Sequence, residues 1–184
     1  MNKSVISVLG QDRPGIIAAV TATLFKLNCN IENINQTILQ SEFSGIFIVS
    51  IPPDLTSGEL CAQLTGAIAH LELHVYVKSL EHKEEGFDSG RCEPFIITTI
   101  GPDKKGLVAG ITEVIAKHGV NVTGLKAIFK GGDNPADNIM IYEVDIPNDI
   151  DQHMLRTELM KRASELGLDI SIQHRNIFMS INRI

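Results

Sequence analysis

One stretch of eight residues decides how this sequence folds: Gly10-Gln11-Asp12-Arg13-Pro14-Gly15-Ile16-Ile17. It occurs a second time, in altered form, as Gly101-Pro102-Asp103-Lys104-Lys105-Gly106-Leu107-Val108. Each copy follows an apolar, β-branched run typical of a buried strand and opens an apolar stripe at helical spacing. Because each is predicted to join a strand to a helix, we call them the first corner (Gly10–Ile17) and the second corner (Gly101–Val108).

The similarity extends beyond the two corners. Val5–Leu39 aligns with Ile96–Lys130 at a constant offset of 91 residues and without a gap. The identical pairs are Ile6/Ile97, Gly10/Gly101, Asp12/Asp103, Gly15/Gly106, Ala18/Ala109, Thr21/Thr112, Lys26/Lys117 and Asn30/Asn121. Unrelated segments rarely keep such residues in register together with the apolar pattern, so the sequence predicts an internal duplication.

The duplication predicts two domains joined by a short connector. We expect the first domain over residues 1–81, a linker over residues 82–93 and the second domain over residues 94–184. The predicted linker is polar and charged and contains two glycines, as expected of a solvated connection.

In the first half, the periodicity alternates between strand and helix. Strands are predicted at Lys3–Leu9, Ile31–Leu39, Gly45–Ile51 and Leu73–Leu80, with a turn at Ser41–Ser44. One helix is predicted over Gly15–Leu27. A second helix opens with a capping box formed by Thr56 and Glu59 and carries an apolar stripe as far as Leu71.

The second half repeats this order. Strands are predicted at Phe95–Gly101, Val120–Lys130, Asn138–Ile146 and Leu168–Phe178. One helix is predicted over Gly106–His118 with Gly119 as its C-terminal stop, and another is predicted to be capped by Asp149 and Gln152. Gly131–Pro135 is predicted to be a loop.

This βαββαβ order, found twice, predicts an α+β fold. Right-handed crossovers place two interleaved strand–helix–strand units in a ferredoxin-like arrangement, a four-stranded antiparallel sheet with two helices on one face. Strands such as Val5–Leu9 are apolar on both faces. We therefore expect the helix-free faces or edges to be partly covered by the other half or by a second chain.

The corners have the chemistry of an anion site. Pro14 suits a first helical turn, and Gly15 and Gly106 leave room for another group. Free N–H groups at a helix start attract a carboxylate, and Asn30 and Asn121 offer acceptors for an ammonium group. Each feature also has a structural interpretation: Asp12 and Asp103 as helix caps, the glycines as packing positions, and the asparagines as turn residues with positive φ.

The G-x-D-R-P-G-I-I motif, the apolar helix and Asn30-Ile31 on the next strand resemble the ACT domain, over nearly the whole chain as two tandem copies. Within that family the sequence resembles transcriptional repressors of the glycine cleavage system and the N-terminal regulatory part of formyltetrahydrofolate deformylase. The resemblance implies a small amino acid bound at domain interfaces. The implied contacts are Gly10, Gln11, Asp12, Arg13, Pro14, Gly15, Ile16, Ile17, Asn30, Ile31, Gly101, Asp103, Gly106, Leu107, Val108, Asn121 and Val122.

Other function classes find little support in the sequence. The net charge of −6 and the few aromatic residues argue against direct binding of DNA or RNA. Three cysteines without a CxxC pair and six scattered histidines predict no metal site and no disulfide framework. No nucleophile or acid–base motif is recognisable, and we expect no cofactor, no catalytic residue and no membrane segment.

The sequence therefore predicts a cytoplasmic, amino-acid-responsive regulatory protein rather than an enzyme. Glycine or another small amino acid is the expected ligand, and a transcription activator is the expected protein partner, with a homodimer as the expected assembly. Two alternatives stay open: a relative of formyltetrahydrofolate deformylase without its catalytic domain, and an RNA-binding module.

Overall fold

The computed structural model describes residues 2–80, 91–129 and 138–181. Over these residues the chain forms eight strands and five α-helices, and it divides into two compact units, residues 1–84 and 85–184. We call these the first unit and the second unit. The division follows the duplication, because each unit contains one copy of the corner.

The first unit contains four strands and two α-helices. The strands are β1 (Asn2–Gln11), β2 (Asn30–Leu39), β3 (Glu42–Ile51) and β4 (His74–Ser79). The helices are α1 (Ile16–Lys26) and α2 (Ser57–Ala67), and a short 3-10 helix follows at Ala69–Leu71. The sheet has the order β2-β3-β1-β4 with antiparallel neighbours, which is the predicted ferredoxin-like topology.

The second unit repeats this order and adds one helix. Its strands are β5 (Cys92–Gly101), β6 (Asn121–Phe129), β7 (Asn138–Pro147) and β8 (Asp169–His174). Its helices are α3 (Leu107–Lys117), α4 (Gln152–Leu166) and α5 (Arg175–Ile181). The sheet order is β6-β7-β5-β8, again with antiparallel neighbours. The predicted α+β class with two ferredoxin-like domains is therefore confirmed.

The core of each unit lies between its sheet and the helices. In the first unit, Ile6 and Val8 of β1 are fully or nearly fully buried against Val20 of α1 and Leu64 of α2. In the second unit, Ile97 takes the place of Ile6 in an equivalent core. Burial of such side chains removes apolar surface from water at roughly 25 cal/mol per Å², and this burial holds each sheet to its helices.

Two predictions at the ends of elements are wrong. Asp149 does not cap α4; Asp151 does, because its carboxylate accepts from the N–H groups of His153 and Met154. The last strand does not run from Leu168 to Phe178, since β8 ends at His174 and α5 begins at Arg175. His174 Nδ1 accepts from the N–H of Asn176 at 3.2 Å, which stabilises the turn into that helix.

The remaining boundaries differ by a few residues. The predicted turn at Ser41–Ser44 is shorter, because Gln40 adopts a positive φ of 57° and β3 already begins at Glu42. The capping box of Thr56 and Glu59 is confirmed. β5 begins at Cys92, inside the predicted linker, while residues 82–90 of that linker and the predicted loop at Gly131–Pro135 lie outside the described residues.

Some apolar side chains on the helix-free face of the first sheet are solvent-exposed. Leu9 is 51% exposed and Ile46 is 49% exposed. Cover for these two side chains, by the other half or by a second chain, stays a prediction. Within the described ranges, no helix combines the length and apolar character needed to cross a bilayer.

Candidate ligand-binding corners

Both corners use a glycine in a left-handed conformation to turn from strand to helix. Gly15 has φ 99° and ψ −8°, and Gly106 has φ 86° and ψ 4°. These angles match the third residue of a type II turn, and Pro14 suits the second. Pro14 therefore lies before α1 rather than in its first turn, which corrects our prediction.

The same two glycines are not packing positions. Among the described residues, no atom outside the adjoining residues lies within 4 Å of where a Cβ would stand at Gly15 or Gly106. Glycine is needed here because other L-residues are strained at positive φ. The open space beside both glycines leaves the helix starts accessible.

Close packing occurs instead at the first residue of each corner. A Cβ on Gly10 would stand 2.7 Å from Cδ2 of Leu73, and one on Gly101 would stand 2.6 Å from Cδ2 of Leu168. A Cβ at either position would force the leucine side chain to shift, and at Gly101 it would also stand 2.9 Å from the backbone carbonyl oxygen of Gly167. This packing fixes the end of the strand from which each helix turns away.

The helix starts at the two corners lack side-chain caps. No described side chain accepts a capping hydrogen bond from the first N–H groups of α1 or α3, so Asp12 and Asp103 are not the caps that one interpretation proposed. The first intrahelical bonds are Ala19 N–H to Gly15 C=O (2.9 Å) and Gly110 N–H to Gly106 C=O (2.8 Å).

These bonds leave three amides at each start without an intrahelical acceptor. The amides belong to Ile16, Ile17, Ala18, Leu107, Val108 and Ala109. The other two long helices are capped, α2 by Thr56 and α4 by Asp151. Unpaired donors therefore occur at both corners, where an anion would find them.

A pocket lies against each uncapped helix start. The first corner pocket has a volume of about 180 Å³ and the second corner pocket about 690 Å³. The second is lined by Asp103, Lys104, Gly106, Leu107, Val108 and Ala109, and the first by Asp12, Arg13, Gly15, Ile16, Ile17, Ala18, Gln36, Ile38 and Phe43. Six positions correspond pair by pair, so the duplication extends to the pockets.

The structure does not bring Asn30 to the first corner. Asn30 pairs with Ser50, which also pairs with Lys3 near the start of β1. Gln11 pairs with Glu42 at the opposite end of the sheet, where β2 ends. Asn30 and Ile31 line a different pocket of about 570 Å³, which extends along α1 from Ala18 to Phe25. The eleven residues of α1 span about 16 Å, so one small ligand cannot reach both places in one unit.

Asn121 and Val122 are displaced in the same way in the second unit, because they begin β6 after the end of α3. The positive φ considered for the asparagines belongs to other residues, Asn28 (54°) and Gly119 (67°). Gly119 is thereby confirmed as the residue that ends α3. The two asparagines pair in the sheet as ordinary strand residues.

The exposed charges differ between the corners. In the first corner, Arg13 donates to the side-chain oxygen of Gln11 at 3.3 Å, and both side chains are at the surface. In the second corner, the ammonium of Lys104 lies close to Gly167 at the C-terminus of α4, a favourable place for a cation. With Lys105 in place of Pro14, the second corner carries one more positive charge than the first.

The sequence patterns did not predict the buried polar residues beneath the second corner. Asn138 and Thr99 are both 0% exposed. Tyr142 is also fully buried; its hydroxyl donates to the sulfur of Met140 at 3.3 Å, and burial raises the pKa of Tyr142 to about 12. The signal was present in the inward-facing positions of the predicted strand Asn138–Ile146, where asparagine stands first.

The part of the chain that the structure describes contains no group of three or more His, Cys, Asp or Glu residues placed to hold a metal ion. Cys29 packs against the first core, and burial raises the pKa of its thiol. Cys29 is therefore better described as a small apolar residue than as a nucleophile.

Comparison with known proteins identifies the family. The family profile of the ACT domain matches residues 3–78 and 93–173. The chain belongs to the ACT domain family. ACT domains are regulatory modules, and this chain contains two of them in tandem.

Relatives with similar sequences match half of the chain. A UPF0237 protein of Methanopyrus kandleri is 34% identical over 95 residues, which is 48% of this chain and 96% of the relative. One from Methanocaldococcus jannaschii is 36% identical over 92 residues, with the same two shares. These relatives are about half as long as this chain.

Two solved structures share the two-domain fold. An unknown protein from Galdieria sulphuraria has a TM-score of 0.77 at 24% identity, covering 94% of this chain and 98% of that one. A candidate glycine cleavage system transcriptional repressor has a TM-score of 0.67 at 18% identity, covering 94% and 96%. At these identities the similarity establishes the fold alone.

Proposed function

We propose that this ACT protein is an amino-acid-responsive regulator: a small amino acid binds at a corner and alters how the chain engages a protein partner. The observation that carries the proposal is the pair of uncapped helix starts, each with a pocket against it. The same fold caps α2 and α4 with its own side chains, so the free amides are a local property of the corners.

The free amides fit the carboxylate of an amino acid. Three N–H groups of a first helical turn point along the helix axis, and the helix dipole adds partial positive charge at the same place. No acidic residue stands in the first turn of α1 or α3 to compete for it. A carboxylate bound there would accept hydrogen bonds from these amides, as the carboxylate of Asp151 does at the start of α4.

Regulation requires that the ligand distinguish two states. An amino acid that binds both arrangements of the chain equally changes nothing, whereas tighter binding to one arrangement shifts the population towards it. We propose that this arrangement differs in affinity for a protein of transcriptional control, such as an activator, in a cytoplasmic homodimer. What supports this choice is the name of the two-domain repressor that shares the fold; the net charge of −6 favours a protein partner over direct contact with nucleic acid.

A thermal-shift screen of the twenty amino acids against the full chain tests ligand binding. A ligand that binds only the folded state should raise the melting temperature in a dose-dependent way. Acetate and methylamine, which each carry one of the two charged groups, serve as controls and should have much smaller effects. If no amino acid raises the melting temperature at millimolar concentration, the proposal fails.

A pull-down from cell extract, with and without the amino acid found in the screen, tests the partner. We expect a transcription factor whose recovery changes with the ligand. Recovery of no transcription factor under either condition would contradict the transcriptional role and leave ligand binding to be judged by the screen.

A further inference from the structure

The helix-free face of the second sheet is partly covered by the chain itself. Helix α5 lies against β5 and β8, and Arg175, its first residue, reaches across β5 to β7. Nη2 of Arg175 lies 3.8 Å from Asp145 and 4.0 Å from Glu143, whose side chains point away from the core. Ile96, which pairs with Glu143 in the sheet, is only 4% exposed. A short helix with one charged side chain therefore covers this sheet face.

The same face of the first sheet is exposed. Val5 takes the position of Ile96 there and is half-buried. Tyr76 is 65% exposed, and Leu9 and Ile46 are 51% and 49% exposed. Exposed apolar side chains grouped on one surface mark a place where another molecule binds. We call this surface the first open face, and it consists of Val5, Leu9, Ile46, Ile48 and Tyr76.

The carboxylates that hold Arg175 have no counterpart on the first open face. Ile48 takes the position of Glu143, and Ser50 takes the position of Asp145. A helix like α5, with a basic residue at its start, would therefore lack the partners that Arg175 has in the second unit. The two faces consequently suit helices of different charge.

The charge beside the centre of the first open face is positive. Lys78 pairs with Val5 in the sheet, where the second unit has the neutral Gln173. Lys78 is exposed and forms no ion pair with a described residue. The carboxylate of Glu32 already pairs with the ammonium of Lys3 at the edge of this face. We therefore expect an occupant of the first open face to bring a carboxylate to Lys78.

A second copy of this chain does not supply that carboxylate. If two-fold symmetry paired the first open faces, Lys78 would stand opposite Asn33 with the axis along the strands, and opposite His74 with the axis across them. Helix α5 of a second copy carries no acidic residue, and the carboxylates of the second helix-free face already hold Arg175. Charge complementarity thus favours a different protein as the occupant.

Resting on the proposed function, we propose that the first open face docks the protein partner through a short acidic amphipathic helix. The apolar side of this helix covers Ile46 and Tyr76, and one of its carboxylates pairs with Lys78. From Val5 to Leu9 the face is about 13 Å long, which is the rise of about nine helical residues. The second unit supplies such a cover with its own α5, whereas the first unit leaves the place to the partner.

Two synthetic peptides of about sixteen residues, long enough to form a helix, serve as probes. Both carry the same leucine stripe at helical spacing; one has glutamates in its first two turns, and the other has lysines at the same positions. The charges occupy one end only, because Glu42 stands at the other end of the face from Lys78.

Fluorescence anisotropy with the full chain gives the affinity of each peptide. At about 0.15 M salt, which screens long-range repulsion, we expect the glutamate peptide to bind about fivefold more tightly than the lysine peptide. The net charge of −6 opposes this order, so the order requires a local contact with a cation.

Matched surface variants locate the contact. Lys78→Glu should weaken binding of the glutamate peptide about fivefold and strengthen binding of the lysine peptide, because a repulsion replaces an exposed ion pair. Ile46→Ser should weaken binding of both peptides about tenfold, because it removes the apolar centre of the face. Lys126→Glu, the same charge reversal on the helix-free face of the second unit, is the control and should leave both affinities within about twofold of wild type.

The assignment is wrong if the two peptides bind equally, if neither binds, or if Lys126→Glu has the same effect as Lys78→Glu. It is also wrong if wild type sediments as a dimer that Ile46→Ser dissociates, because a second copy then occupies the face.

The pull-down described above, repeated with Lys78→Glu and Ile46→Ser, separates these results from the proposed function. If both variants still recover a transcription factor in a ligand-dependent way, the docking surface is wrong and the proposed function stands. If wild type recovers none, the transcriptional role fails, and the peptides still decide whether the first open face binds an acidic helix.

Discussion

The two units share a backbone and differ in one layer of their cores. Beneath the first corner lie Val8, Phe43 and Phe47, and the corresponding positions beneath the second corner hold Thr99, Asn138 and Tyr142. Every member of both sets is buried. The two copies therefore share one topology, although this layer is apolar in the first unit and contains buried polar groups in the second. The comparison separates what the fold requires from what a site could use.

A second contrast lies within each unit. The first helix of each unit starts at a corner without a cap, and the second helix is capped by its own side chains. Capped and uncapped helix N-termini occur in the same unit, so the missing caps are specific to the two corners. It indicates that the corners kept free donors in spite of the stability that a cap would add.

The largest effect should come from giving the first unit the residue of the second. Phe43→Asn removes a buried ring and leaves an unpaired amide in its place, which should destabilise the first unit by about 4 kcal/mol. Urea unfolding followed by circular dichroism measures the change. The reverse-type change Asn138→Leu should cost no stability, because it removes an unpaired buried amide. A loss below about 1 kcal/mol for Phe43→Asn would show that the first corner is not closed by that ring.

The glycines of the second corner should respond to alanine for different reasons. Gly101→Ala places a Cβ 2.6 Å from Leu168 and 2.9 Å from the carbonyl oxygen of Gly167. Since a backbone carbonyl cannot move aside easily, we expect a loss of about 3 kcal/mol. Gly106→Ala meets open space but a strained φ, and should cost about 1–2 kcal/mol. If urea unfolding gave the two variants equal losses of unfolding free energy, a packing clash at Gly101 and backbone strain at Gly106 could not be told apart, which would contradict this account.

Removal of caps should separate the two kinds of helix start. Thr56→Ala deletes the capping box of α2 and should lower the free energy of unfolding by about 1 kcal/mol. Asp12→Ala, at an uncapped start, should change it by less than about 0.5 kcal/mol. A loss of 1 kcal/mol or so in Asp12→Ala, measured without ligand, would mean that Asp12 does cap α1 in solution.

The smallest expected effect is a pH-dependent change in stability from the ion pair between Lys117 of α3 and Glu158 of α4. Lys117 donates to both oxygens of Glu158 (2.9 and 2.7 Å), which holds the pKa of that carboxyl below its ordinary value of 4.5, and His118 lies 3.3 Å away. A lowered pKa in the folded state gives stability that is present above pH 4.5 and is lost as the pH falls through the folded pKa.

Glu158→Gln should therefore reduce the melting temperature of the second unit slightly near neutral pH. The difference from wild type should shrink as the pH falls below 4.5 and disappear in acid. The size should be small because Lys117 is exposed and the pair is screened. A difference that stays constant down to strongly acidic pH would exclude the carboxylate as its cause.

Most of the fold could be predicted from the sequence because it depends on repeated, short-range patterns. The gapless match of Val5–Leu39 with Ile96–Lys130 located both corners, and the capping box of Thr56 and Glu59 located the start of α2. The end of β8 could not be predicted, because Ile177 and Phe178 extend an apolar pattern that a strand and a short helix share.

The buried polar residues beneath the second corner were harder to predict, because sheet register decides which residues of two strands lie opposite each other. The offset between the copies is 91 residues on β1 and β5 but 95 on β3 and β7. Alignment at one constant offset therefore never places Asn138 beside Phe43. Asn30 and Asn121 are identical in the alignment and were predicted ligand contacts, yet they lie at the opposite end of the helix from the corner.

Backbone amide shifts measured by NMR during a glycine titration test the central claim most directly. The account predicts the largest shifts at the free amides of a corner, Ile16 and Ile17 or Leu107 and Val108. It predicts none at His153 and Met154, whose amides already donate to Asp151. Glycine that binds but shifts only residues around Asn30 and Asn121, leaving both corners unchanged, would contradict it.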